Sequence, residues 1–171
     1  MANQPETPQP SPTFELHAIA MNRALFEHLP RVTPEPGEEK PAQMNYNLVL
    51  GAAVKYLANG RHEVSLGVTV TPDPKWMPYK IEVEMLGLFS VAAGSEEDLK
   101  QFTRLAAPTI LFPYLREVVS KLTADGKHGV VRLNPINVQA MLANSDWVDV
   151  PMTASSEPSQ PSEQSPYALP E

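Results

Sequence analysis

Three stretches of strict alternation constrain this chain more than any other feature. Met44, Tyr46, Leu48, Leu50, Ala52, Val54 and Tyr56 alternate with Asn45, Asn47, Val49, Gly51, Ala53 and Lys55. Val64, Leu66, Val68 and Val70 alternate with Ser65, Gly67, Thr69 and Thr71, and Ile81, Val83 and Met85 with Glu82, Glu84 and Leu86. A side-chain period of two sends one set to each face of a strand. Asn59-Gly60 separates the first two runs and signals a tight hairpin. Pro72, Pro74 and Pro78 force a turn around Trp76 before the third. The pattern predicts an antiparallel meander with one buried face. An earlier run, Phe14, Leu16, Ile19, Met21, Leu25 and Phe26, has mixed spacing and reads as a fourth strand with a possible bulge.

The buried face needs a cover, and the stretch from Ser95 to Leu122 supplies one. Leu99, Phe102, Leu105, Ala106, Leu111, Leu115, Val118, Val119 and Leu122 recur at helical spacing. Ser95, followed by Glu96, Glu97 and Asp98, makes a helix start, and Lys121, Gly126 and Lys127 make an end. Pro108 and Pro113 interrupt the pattern, and each removes a backbone donor. The expectation is one long kinked helix or two short ones end to end. Ile110, Leu111 and Phe112 run consecutively, so the helix is either a buried core element or one that also packs on another subunit. Val130, Val131 and Leu133 form an extended segment. Asn134-Pro135 turns and caps, and Ile136, Val138, Met141 and Leu142 mark a second, short helix. The fold class is α+β: a four-stranded antiparallel sheet with one long, proline-kinked helix and one short one.

Nineteen prolines divide the 171 residues. They crowd residues 1–12, which read as a disordered arm, and residues 151–171, which carry Ser, Pro, Glu and Gln with no Lys or Arg and read as a disordered tail. Residues 13–150 form the body. Within it Pro30 to Pro41 is a long polar crossover loop, and such loops are often functional. A net charge of −7 counts against nucleic acid as partner. The absence of cysteine rules out disulfides and thiolate metal sites. No apolar run reaches the ~20 residues of a membrane helix, and residues 1–12 lack the character of a secretory signal. The expectation is a cytoplasmic protein with no membrane insertion.

Catalytic chemistry does not assemble. His17, His28, His62 and His128 have no ligand spacing, Leu86-Gly87-Leu88 lacks further glycines for a phosphate loop, and no cofactor is called for. Glu82 and Glu84 share one strand face, as a solvated surface or an acidic docking strip. Trp76, Met77, Phe89, Met141, Leu142 and Trp147 sit at edges, as satellite core or a binding groove.

The run Glu82-Val83, then Gly87-Leu88-Phe89-Ser90-Val91-Ala92 and Gly94, continuing through Pro108-Thr109-Ile110-Leu111-Phe112-Pro113-Tyr114 with Arg116-Glu117 and ending in Leu133-Asn134-Pro135-Ile136-Asn137, resembles the SecB family of protein-export chaperones. The resemblance covers the body and omits both tails. It implies a homotetramer, built as a dimer of dimers with the long helices between larger sheets. It also implies ATP-independent holding of unfolded precursor proteins and their delivery to the export motor SecA. On that basis the client groove is expected between the crossover loop and the short helix, at Leu29, Val32, Met44, Tyr46, Ile136, Val138, Met141, Leu142 and Trp147. The motor would dock at Glu27, Glu82 and Glu84. The subunit interface would use Ile81, Val83, Met85, Ile110, Leu111 and Phe112. Two departures stand out. The loop from Arg31 to Lys40 lacks the aromatic residue common in the family's groove, and Arg23 falls on a usually acidic docking position. They motivate an alternative, a SecB-like chaperone dedicated to one client such as an antitoxin. An enzyme on a related fold is the reading from another class.

Overall fold

The computed structural model describes residues 13–42, 45–57, 60–92, 94–143 and 148–150. Both tails, together with Met44, Asn59 and Trp147, lie outside them. The four expected strands form one sheet: β1 (Thr13–His28), β2 (Tyr46–Tyr56), β3 (Arg61–Pro72) and β4 (Tyr79–Ala92). Their order is β1-β4-β3-β2, all antiparallel. A short strand, β5 (Val148–Val150), adds itself parallel to β2 and was not expected. The meander reads in burial as it does in sequence: the even positions of β3 and the odd positions of β4 are buried. The bulge expected in β1 is present twice, where the register to β4 slips at Leu16/Ala18 and at Met21/Arg23. Each extra residue bends the edge strand and re-aims its side chains. One consequence is that His17 Nε2 lies 2.8 Å from Ser90 Oγ.

The helical segment is continuous. α1 (Glu96–Gln101) passes through a widened turn, Phe102–Ala106, into α2 (Ala107–Ala124). Ser95 accepts from the Asp98 N–H at 3.1 Å and Asp98 accepts from the Ser95 N–H at 2.8 Å, a reciprocal capping box. The widened turn immediately precedes Pro108. An α register would drive the proline ring toward the carbonyl four residues back. Here the Ala107 N–H instead reaches the Phe102 carbonyl, one residue further. Thr103 and Thr109 donate their hydroxyls to the Leu99 and Leu105 carbonyls. Pro113 is carried inside α2.

α2 lies across β3 and β4, with Leu111, Leu115 and Val119 fully buried between them. Gly87 makes the close approach possible. A Cβ there would stand 2.9 Å from a Leu111 methyl and 2.5 Å from the Phe89 ring. Beyond α2 the chain turns at Gly129 (φ +97°) and runs back along the helix. Arg116 Nε donates to the Leu133 carbonyl at 2.8 Å, and the Val131 N–H donates to Thr123 Oγ1 at 2.9 Å. This return segment has extended character but joins no strand. α3 (Val138–Leu142) follows, capped by Asn137, whose side chain accepts from the Ala140 N–H at 3.0 Å. The cap is therefore Asn137 rather than Asn134-Pro135.

Candidate groove and sheet face

The crossover loop leaves β1 under control of its neighbours. The Leu29 N–H donates to the Pro78 carbonyl at 2.8 Å. Lys75 Nζ reaches both oxygens of Glu38, at 2.7 and 2.9 Å, while Glu38 also accepts from the Glu35 N–H. The Lys75 hydrogen bond holds the Glu38 carboxyl below its ordinary range, and Glu38 in turn raises the Lys75 ammonium. The loop is thus tied to the β3–β4 turn. Between it and the return segment after α2 lies an open cavity of about 400 Å³. Ala42, Tyr46, Pro72 and Met77 form one wall; Val130, Val131, Arg132 and Asn134 form the other. Tyr46 bridges the walls, its hydroxyl accepting from the Asn134 N–H at 2.9 Å.

Of the residues expected at a groove, Tyr46 lines this cavity. Leu29 and Ile136 are half-buried and do not line it, and Val32 is exposed on the loop. Val138 and Leu142 are corrected: both are buried in the core, because they are the face that holds α3 down. Met141, on the opposite side of α3, is 38% exposed. Met44 and Trp147 lie outside the described residues. Met77, which the sequence offered as satellite core or groove, lines it; Val130, Val131 and Arg132 were not expected as lining. The only sequence signal for them is that large apolar residues sit beside prolines and a glycine.

Five of the six residues expected at a subunit interface face the chain's own core. Ile81, Val83, Met85, Leu111 and Phe112 are buried inside the chain itself, sheet face against helix face. Alternation tells which face is covered but not which element covers it. Ile110 alone of the six projects, with Tyr114 exposed one turn on. On β1, Phe14, Leu16 and Met21 keep much of their surface exposed, although Phe14 stacks on Phe102 with ring centroids 3.8 Å apart.

The opposite sheet face carries the acidic residues, and Glu82 and Glu84 both have partners. Glu82 meets Arg23 at 2.8 Å and also Lys80. Its carboxyl is lowered first by the Lys80 hydrogen bond and then by the attraction of Lys80 and Arg23. Glu84 accepts from Asn22 Nδ2 at 2.7 Å, and Glu27 lies opposite Lys80 in register. A shallow hollow beside Arg23, Glu82 and Glu84 opens where Gly51 and Gly67 pair across β2 and β3. Among the described residues no three His, Asp or Glu side chains gather to hold a metal, and no helix is long and apolar enough to cross a membrane.

The family described as preprotein translocase subunit SecB matches residues 8–146. The chain belongs to the SecB family. The protein-export protein SecB of Methylococcus capsulatus is 32% identical over 139 residues, covering 80% of this chain and 86% of that one. That of Alcanivorax borkumensis is 35% identical over 134 residues, covering 75% and 82%. Among solved structures, a SecB-like chaperone of Mycobacterium tuberculosis in complex with a peptide from the HigA1 antitoxin has a TM-score of 0.56 at 20% identity, covering 72% of this chain and 90% of that one. The SecB fold is thus common to both, and membership of the SecB family supports a chaperone role.

Proposed function

We propose that this SecB-family chain is an ATP-independent holding chaperone that keeps unfolded precursor proteins export-competent and delivers them to SecA in the cytoplasm. The observation that carries the reading is the open cavity between the crossover loop and the return segment after α2. It offers apolar walls at Met77, Val130 and Val131 without an enclosing lid. Unfolded clients have no common sequence, so holding must draw on apolar burial, about 25 cal/mol per Å², summed over several grooves. The assembly that would supply several grooves is a homotetramer, a dimer of dimers. Exposed Ile110 and Tyr114 on the helix and Phe14, Leu16 and Met21 on the edge strand support it, since apolar surface of that kind favours association. The test is aggregation suppression for several unrelated unfolded precursors without nucleotide, by the chain and by Ala42→Trp, which plugs the mouth from an exposed loop position. Suppression by the first and loss in the second is expected. No suppression at stoichiometric protein would end the reading.

A second reading is favoured by one observation. Arg23 and Lys80 neutralise Glu82, which weakens the acidic face meant for the motor. A SecB-like chaperone dedicated to a single client such as an antitoxin has less need of that face, and the Mycobacterium tuberculosis chaperone was solved with an antitoxin peptide. A client screen separates the two: a dedicated chaperone protects one protein and fails on the rest.

A further inference from the structure

The strongest departure from this chain's acidic character lies at one rim of the groove. His128 belongs to the turn between α2 and the return segment. The basic groups that bear on it are Lys127, Arg31, His28 and Lys40. They come from three separate stretches: the end of β1, the crossover loop and the turn itself. Burial first, and these groups after it, push the His128 imidazole down from its ordinary value. Arg31, Lys40 and Lys127 are exposed. Among the described residues none of them, nor Arg132, takes part in an ion pair. Glu38, in the same loop, is engaged by Lys75.

Arg132 lines the cavity itself, and the other cations stand close in sequence to residues of its two walls. Lys40 precedes Ala42 of one wall, and His128 precedes Val130, Val131 and Arg132 of the other. Tyr79 fixes this turn from below, donating its hydroxyl to the Gly129 carbonyl at 3.1 Å. A cavity with both apolar and polar walls thus has Arg132 in its lining and, close in sequence to its walls, exposed cations that make no ion pair among the described residues, in a protein whose net charge is −7.

We infer that this groove selects acidic–apolar peptide segments, stretches in which a large apolar side chain is flanked by Asp or Glu. This rests on the chaperone reading and deepens it by naming the client chemistry. The apolar residue enters between Met77 and Val131. The flanking carboxylates meet Arg132 on one side and Arg31, Lys40 and Lys127 on the other. Apolar burial alone ranks segments by size; the rim adds a ranking by charge, and like-charged flanks are turned away.

The experiment measures binding of three fluorescent peptides to the full chain by anisotropy. They share one apolar centre and differ only in flanks of Glu, Gln or Lys. At about 50 mM salt the expected order is Glu, Gln, Lys, with roughly tenfold or more between the extremes, shrinking toward parity at about 0.5 M as screening shortens the reach of the cations. The variant Arg31→Ser/Lys40→Ser/Lys127→Ser changes exposed positions only and should lose the ordering. Equal binding of all three peptides, preference for Lys flanks, or an ordering that survives in the variant overturns the inference and leaves the groove intact. If none of the peptides binds, the groove reading falls with it.

Discussion

Arg23 Nη2 lies 2.8 Å from Glu82 Oε2 across the pairing of β1 with β4. The two residues are not opposite each other: Glu82 pairs with Leu25, and Arg23 with Glu84. The second bulge of β1, between Met21 and Arg23, sets Arg23 where it can reach the diagonal neighbour. An acidic sheet face is thereby partly cancelled by the strand beside it. Exposed pairs contribute little to stability, so under the proposed function the consequence would be for docking of the motor rather than for folding. Arg23→Asp should leave the melting temperature nearly unchanged. It should strengthen binding to SecA by roughly two- to fivefold, the scale of one exposed pair. Glu82→Lys should abolish it. Titration calorimetry at low and high salt checks both, and indifference of the complex to Arg23→Asp would remove this face as the docking site.

Gly87 is where helix and sheet touch. A methyl group there would press on the Phe89 ring and a Leu111 methyl, and both side chains are themselves buried. Overpacking of a dense core costs ~1–3 kcal/mol. Gly87→Ala should lower stability by that amount in urea unfolding. A Gly87→Ala/Leu111→Ala pair should lose less than the sum of the single changes, because the shorter side chain at 111 removes one of the clashes.

How far the sequence was readable follows from such contacts. The meander was legible because a period of two survives wherever one face is buried, as in β3 and β4. The capping box was legible because Ser95 and Asp98 are three residues apart. At Ile81, Val83 and Met85 the sequence showed a covered face but not its cover, because apolar alternation does not say whether that is the chain's own helix. The widened turn at Phe102–Ala106 was read as a kink, since proline announces a disturbance but not its form. Contacts between distant residues left no trace in either partner: Lys75 and Glu38, Arg116 and Leu133, Tyr79 and Gly129. The groove depends on the first and last of these. Its loop was visible as a proline-rich stretch and Met77 as an apolar edge residue, yet its lining at Val130, Val131 and Arg132 was not.

Tyr79 is buried beneath the rim of the groove, and burial pushes its hydroxyl up to about 12. In the unfolded chain it titrates near 10. A group whose proton is held more tightly in the folded state contributes stability that is full below its unfolded value. That contribution is lost as pH rises from about 10 toward 12. Tyrosinate absorbance should therefore show a late phase near pH 12, absent in Tyr79→Phe. The variant also loses the hydrogen bond to Gly129, at about 0.5–1.5 kcal/mol. If every tyrosine ionises near 10 with the fold intact, Tyr79 is not buried in solution.

The crossover loop depends on one ion pair. Lys75 stands in the β3–β4 turn, where the Asp73 side chain accepts from its backbone N–H at 2.9 Å. Its ammonium reaches both oxygens of Glu38. The pair lies at the surface, so its worth to global stability is small. Its effect on the loop is larger, because no other side-chain ion pair among the described residues ties residues 30–42 to the sheet. Lys75→Gln should therefore leave the melting temperature nearly unchanged while hydrogen exchange across residues 31–42 speeds up. The same release should follow acidification. Glu38 has a lowered value in the folded protein, so the tie is complete above the ordinary glutamate range and is lost as pH falls through that lowered value. A looser loop widens the cavity mouth at Ala42, so client peptides should bind and leave Lys75→Gln faster. Unchanged exchange in the variant would mean that the loop is held by its backbone contacts alone, at Leu29 and Asn45.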